Sequence, residues 1–237
     1  MTTTAEILKE LEAMGNPGTK KMLMKNHGVR EPCFGVKIGD MKSIVKHVKV
    51  DHELALGLYD SGNYDAMYLA GLIADDAKMS KRDLQKWANN ARGGSLAGYT
   101  VAWTASGGRY GWEMGLKWIE SKAEHVAMSG WSTLSCLMAL KQDSELDLEK
   151  IRALIKHIEE TIHQTADLVR YSMNHFLIAV GCGVAPLTKE ILATAKRIGP
   201  VSANLGNNQC QIPSPIEYIQ KVEKRGEIGK KRKKVKC

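Results

Sequence analysis

The stretch Val169-Arg170-Tyr171-Ser172-Met173-Asn174-His175-Phe176-Leu177-Ile178-Ala179-Val180-Gly181 has the apolar rhythm of a buried helix, broken by polar groups. Val169, Met173, Phe176, Leu177 and Val180 recur at helical steps and form one stripe, while Arg170 and Asn174 fall together on another face. A helix of this kind packs one side into a core and turns the other toward a polar groove. Arg170 and Asn174 are therefore predicted to line such a groove.

Outward from this helix the chain reads as helices joined by short turns. Thr3 or Thr4 can cap a first helix with Ile7, Leu8, Leu11 and Met14 on its apolar side, closed by Gly15-Asn16-Pro17-Gly18. A second reaches about Asn26. A third follows Asp40, with Met41, Ile44, Val45 and Val48 inward and Lys42, Lys46 and Lys49 outward. Helices over Leu54 and its neighbours and over 64–74 flank the turn Asp60-Ser61-Gly62-Asn63, and Ser80 opens another. Further helices are predicted at 95–105, 110–120, 124–140, 147–163, 167–182, 187–198 and 215–225. No segment alternates with β-branched enrichment, so a sheet is not expected. Antiparallel pairs of this length bury their stripes against the next pair, as a helical array requires; a closed bundle is the rival arrangement.

Composition narrows the function classes. With 237 residues, 43% hydrophobic and 25% charged, the sequence reads as one soluble domain, and no apolar run approaches the roughly 18 residues of a membrane span. The N-terminus has no basic region followed by an apolar block, so a cytoplasmic location is expected. Cys33, Cys136, Cys182, Cys210 and Cys237 form no Cys-x-x-Cys pair, and the seven histidines form no zinc-binding pattern. Reduced thiols, no metal and no cofactor are expected.

The net charge of +8 is concentrated in two segments. Residues 19–50 carry eight basic groups against Glu31 and Asp40, and Lys230, Lys231, Arg232, Lys233, Lys234 and Lys236 crowd the last nine residues without an acid. Localised positive charge suits a polyanion, because neutralised phosphates release counterions. A lysine-rich end also reads as a solubilising tail.

Several ordered blocks resemble the DNA alkylation repair family, the HEAT-like AlkD-like proteins. They are Phe34-Gly35-Val36-Lys37-Ile38-Gly39-Asp40-Met41-Lys42, His52 to Tyr59, Tyr64 to Ala70, Ser129-Gly130-Trp131, Val169 to Asn174 and Tyr218-Ile219, and the basic ending matches one branch of the family. The resemblance covers nearly the whole chain. It implies an all-α curved solenoid of HEAT-like antiparallel helix pairs, here a single domain over 1–228 with a basic, flexible tail over 229–237. It also implies duplex, damaged or branched DNA as the partner, held by a monomer in a basic concavity, and a bacterial, nucleoid-associated setting.

Active members of that family hydrolyse the N-glycosidic bond of N3- or N7-alkylated purines. A carboxylate stabilises the oxocarbenium-like sugar and a water attacks. The family pattern places an aspartate four residues after a tryptophan, with a nearby arginine and a second tryptophan. This chain has Gly94-Ser95-Leu96-Ala97-Gly98 at the motif, Met128 near the arginine position and Asn174 to Leu177 at the later tryptophan. Asp65 and Glu113 are the substitute carboxylates to weigh, and Tyr99, Trp103 and Trp131 the aromatic surface for a sugar or base. With Lys37, Lys42, Lys46, Arg170, Asn174, Lys230, Lys231, Arg232, Lys233 and Lys234 they make up the expected DNA-binding set. Three readings stay open: a DNA-binding family member without base excision, a glycosylase with a rearranged acid, and a HEAT-like protein scaffold.

Overall fold

A computed structural model describes residues 2–206 and 211–236. Among these, thirteen α-helices and no strand are present. The N-terminal helices are α1 (Thr4–Ala13), α2 (Pro17–His27) and α3 (Met41–Val48), followed by the pair α4 (His52–Asp60) and α5 (Tyr64–Ile73). Next come α6 (Lys81–Asn90), a π-helical segment (Leu96–Val101) that runs into α7 (Ala102–Gly107), α8 (Gly111–Ile119) and α9 (Glu124–Leu140). The chain closes with α10 (Leu148–Thr161), α11 (Asp167–Gly183), α12 (Thr188–Ile198) and α13 (Pro215–Lys224).

Local chemistry sets the boundaries. Thr3 accepts from the Glu6 amide while the Glu6 carboxylate accepts from the Thr3 amide, and Ser80 and Asp83 repeat this reciprocal cap at α6. Asn16, Asp51, Asn63, Asp147 and Ser214 each accept from amides of the turn they precede. Asp40 stands before α3 as expected, but its side chain makes no capping bond. The helix expected at 95–105 begins as a π-helix, a wider coil that a hydrophobic period does not reveal.

The helices stack in two rows. α5, the π-helix with α7, α9, α11 and α13 pack closely one against the next, while α4, α6, α8, α10 and α12 touch each other far less. A tight row beside a splayed one bends the stack with the tight row inside, which is the curvature of a HEAT-like solenoid. Glycine permits a close approach of α8 and α9: a Cβ on Gly130 of α9 would stand 2.7 Å from the Ile119 amide at the end of α8.

Two apolar cores meet at α9. Val126 and Met128 belong to the N-terminal core, and Ala127, Trp131 and Leu134 to the C-terminal one. Trp87, Trp118 and Trp131 are fully buried, so tryptophan serves packing rather than the groove. Cys33, Cys136 and Cys182 are unpaired thiols; burial pushes the first two up to about 12 and Cys182 to about 11, so all three stay protonated near neutrality. Cys210 and Cys237 lie outside the described residues. No single helix among the described residues is long and apolar enough to cross a membrane.

The basic ending departs from the flexible arm expected of it. It lies along the C-terminal ends of the inner helices, where the Gly229 amide donates to Cys182 O and the Arg232 amide to Ala139 O, both at 2.8 Å. Unpaired carbonyls at helix ends attract cations and N–H groups, and a lysine-rich segment supplies both.

Candidate nucleic-acid interface

As far as α11 the inner row carries almost no positive charge. Over α5, the π-helix, α7, α9 and α11 the only lysine or arginine is Arg170, and its guanidinium is occupied. Nε donates to Ile162 O at 3.1 Å, Nη1 to Ser202 O at 2.8 Å, and Nη2 to Thr165 O at 2.7 Å and His163 O at 3.3 Å. Asp167 stands 3.7 Å away. Arg170 therefore ties the α10–α11 turn to the segment after α12 and does not face a groove. Asn174, on the same face one turn later, is fully buried and donates to Pro213 O at 2.9 Å. The two residues do share a face, as their spacing dictates, but that face looks onto loops.

Trp131 is also corrected. It has no exposed surface, stacks over His157 with ring centroids 6.2 Å apart, and meets Phe176 edge-on at 5.4 Å. Tyr99 remains available: it is 49% exposed, and Trp103, itself only 6% exposed, backs it at 5.3 Å. The π-helix that carries Tyr99 begins at Leu96, within the Gly94 to Gly98 stretch.

Neither substitute carboxylate sits where catalysis would need it. Asp65 is fully buried, and its oxygens accept from the amides of Phe34 at 2.6 Å, Gly35 at 3.1 Å and Val36 at 2.9 Å. It organises the loop that delivers Lys37, a structural role that an acid in a helical block did not signal. Glu113 lies on α8 in the splayed row and pairs with Lys81 at 2.6 Å. The acids on α9 and α11 are also engaged: Glu124 accepts from the Leu168 amide at 2.8 Å, and Asp167 faces Arg170.

At the motif itself, Met128 covers the two glycines. A Cβ on Gly98 would stand 2.9 Å from Met128 Cε, and one on Gly94 would stand 3.8 Å from it. A thioether, rather than a charged side chain, thus lies against this small-residue stretch.

Positive charge lies outside these inner helices. Lys37, Lys42 and Lys46 are exposed and have no acidic partner among the described residues; Lys42 and Lys46 are one turn apart on α3. At the C-terminal ends of the inner helices, Arg232, Lys233 and Lys234 are exposed and likewise unpaired, whereas Lys230 pairs with Glu227 at 3.3 Å. Lys231 is turned inward, its side chain only 7% exposed, and is not available as a surface cation.

A curved stack of antiparallel helix pairs defines the molecule as a HEAT-like solenoid. The profile of the DNA alkylation repair enzyme family matches residues 7–202, and the chain belongs to that family. Uncharacterised proteins of Listeria innocua and Listeria monocytogenes are each 32% identical over 230 residues, covering 95% of this chain and 99% of theirs. A solved structure, described as a new family of proteins related to the HEAT-like repeat DNA glycosylases with affinity for branched DNA structures, is 37% identical. It superposes over 100% of both chains with a TM-score of 0.91.

Proposed function

We propose that this protein binds branched DNA and does not cleave the glycosidic bond. The observation that carries the reading is the contrast between the inner row and the positive charge outside it. Every carboxylate on α5 through α11 of the inner row is committed to a backbone amide or to Arg170, and the motif position is closed by Met128. Base excision needs a carboxylate beside the developing oxocarbenium ion. Binding needs only phosphate contacts, and Lys37, Lys42 and Lys46 at and before α3 with Arg232, Lys233 and Lys234 of the C-terminal segment can supply them. The affinity of the 37% identical solved relative for branched DNA supports the same partner here.

In this reading duplex arms rest on these two cationic segments and the branch point faces the neutral inner row. There Tyr99 offers a ring to an unstacked base or sugar, with Trp103 behind it. The test is a titration of a four-way junction and a linear duplex of equal length at two salt concentrations. Tighter, salt-sensitive binding of the junction is the expected result; equal binding of the two DNAs would remove the preference, and none would remove the DNA reading.

A further inference from the structure

Residues 229–236 span the inner row from its C-terminal end back to α5. Lys231 Nζ donates to Met138 O at 3.0 Å, in the last turn of α9, and to Gly183 O, the last residue of α11; it also lies 2.8 Å from Asp143 Oδ1. Five residues on, Lys236 Nζ donates to Ala74 O at the end of α5 at 3.0 Å and to Asp76 Oδ1 at 2.6 Å. The Lys236 and Asp76 side chains are 16% and 20% exposed. Between these anchors the Arg232 amide bonds Ala139 O, and Val235 packs on the N-terminal core.

Each lysine thus neutralises the negative end of one or more inner helices and satisfies carbonyls that the helices leave open. The consequence for the array is unusual. Repeats of a solenoid contact only their neighbours, yet this segment joins α11, α9 and α5 directly. With Lys231, Val235 and Lys236 turned inward, Arg232, Lys233 and Lys234 are left outward on a backbone that is held in place.

We propose that residues 229–236 form a fixed strap, anchored by Lys231 and Lys236, which presents Arg232, Lys233 and Lys234 as a preordered ridge for the phosphate backbone of a DNA arm. This rests on the DNA-binding reading and divides the basic ending into anchors and contacts. A held ridge contacts phosphates without first ordering a free chain, so its cations add affinity at a lower conformational cost than those of a mobile arm.

The test compares the wild type with Arg232→Gln/Lys233→Gln/Lys234→Gln and Lys231→Met/Lys236→Met, reading amide exchange in the free protein, thermal stability, and four-way-junction binding across salt. In the wild type the Gly229 and Arg232 amides should exchange slowly. The ridge variant should keep that protection and its Tm, and its salt slope should fall by about 2 to 3, since each phosphate contact contributes roughly 0.9. The anchor variant should lose protection at both amides, with Tm lower by about 5 °C or more. Fast exchange at Gly229 and Arg232 in the wild type would overturn the strap. A ridge variant with the wild-type salt slope would overturn the ridge and leave the DNA reading standing, whereas a wild type that binds no DNA would overturn both.

Discussion

Met128 of α9 lies over Gly98, its ε-methyl carbon 2.9 Å from where a Cβ on that glycine would stand. The contact joins two of the three places at which the sequence departs from the catalytic pattern that its family resemblance implies. A larger residue at Gly98 would displace the end of a flexible side chain rather than backbone, so the site is closed by an adaptable group. An apolar methionine against a small-residue stretch leaves no buried charge to be solvated.

Asp65→Ala should destabilise the fold rather than touch chemistry. Three amides lose a buried anionic acceptor, which costs about 3 kcal/mol or more, or a fall in Tm of about 6 to 12 °C for a chain of this size. Thermal denaturation checks this, and near-wild-type stability would refute the structural role. Junction affinity should also drop at temperatures where the variant is still folded, because the Phe34 to Val36 loop carries Lys37.

Arg170→Ala should lower Tm by several degrees while leaving junction affinity within about twofold, as expected when carbonyls lose their donor and no phosphate contact is removed. Arg170→Lys should rescue little, since a single ammonium cannot reproduce a planar fork serving Ile162, His163, Thr165 and Ser202. A large loss of affinity with unchanged Tm would return Arg170 to the groove.

Most of the array was legible in the sequence. The period of the apolar residues placed α8 through α13 within two residues of their observed ends, because that signal is local. The roles of Arg170, Asn174 and Trp131 were not legible. Helical spacing establishes that Arg170 and Asn174 share a face, but whether that face meets solvent or the underside of a loop depends on Ser202 and Pro213, far along the chain. The docking of Lys231 and Lys236 was hidden for the same reason: a run of lysines has the composition of a solvated tail, and its partners at Met138, Gly183 and Ala74 are distant in sequence.

Tyr99→Ala should weaken binding of a junction, or of a duplex with unpaired bases, by about 1 to 3 kcal/mol, and leave fully paired duplex nearly unaffected, since a stacking ring serves only bases that leave the helix. Parallel titrations of the two DNAs check this. An equal loss on both would make Tyr99 a general backbone contact.

Burial lowers the pKa of His175 below its ordinary value of 6.5, with Tyr171 edge-on at 4.3 Å. The unfolded chain therefore takes up a proton that the folded one refuses, so this contribution to stability is complete above about pH 6.5 and is lost as pH falls toward the folded pKa. His175→Phe should flatten the acid side of a Tm-against-pH profile; an unchanged profile would assign the acid sensitivity elsewhere.

The central claim is that the family scaffold is kept here for binding without base excision. Stoichiometric protein should be incubated in single turnover with methylated duplex and methylated four-way junction, reading released 3-methyladenine and 7-methylguanine. No release above the protein-free control is expected from either DNA, although the junction is bound. Time-dependent release from either would contradict it and would require a carboxylate beside the sugar that the inner row does not offer.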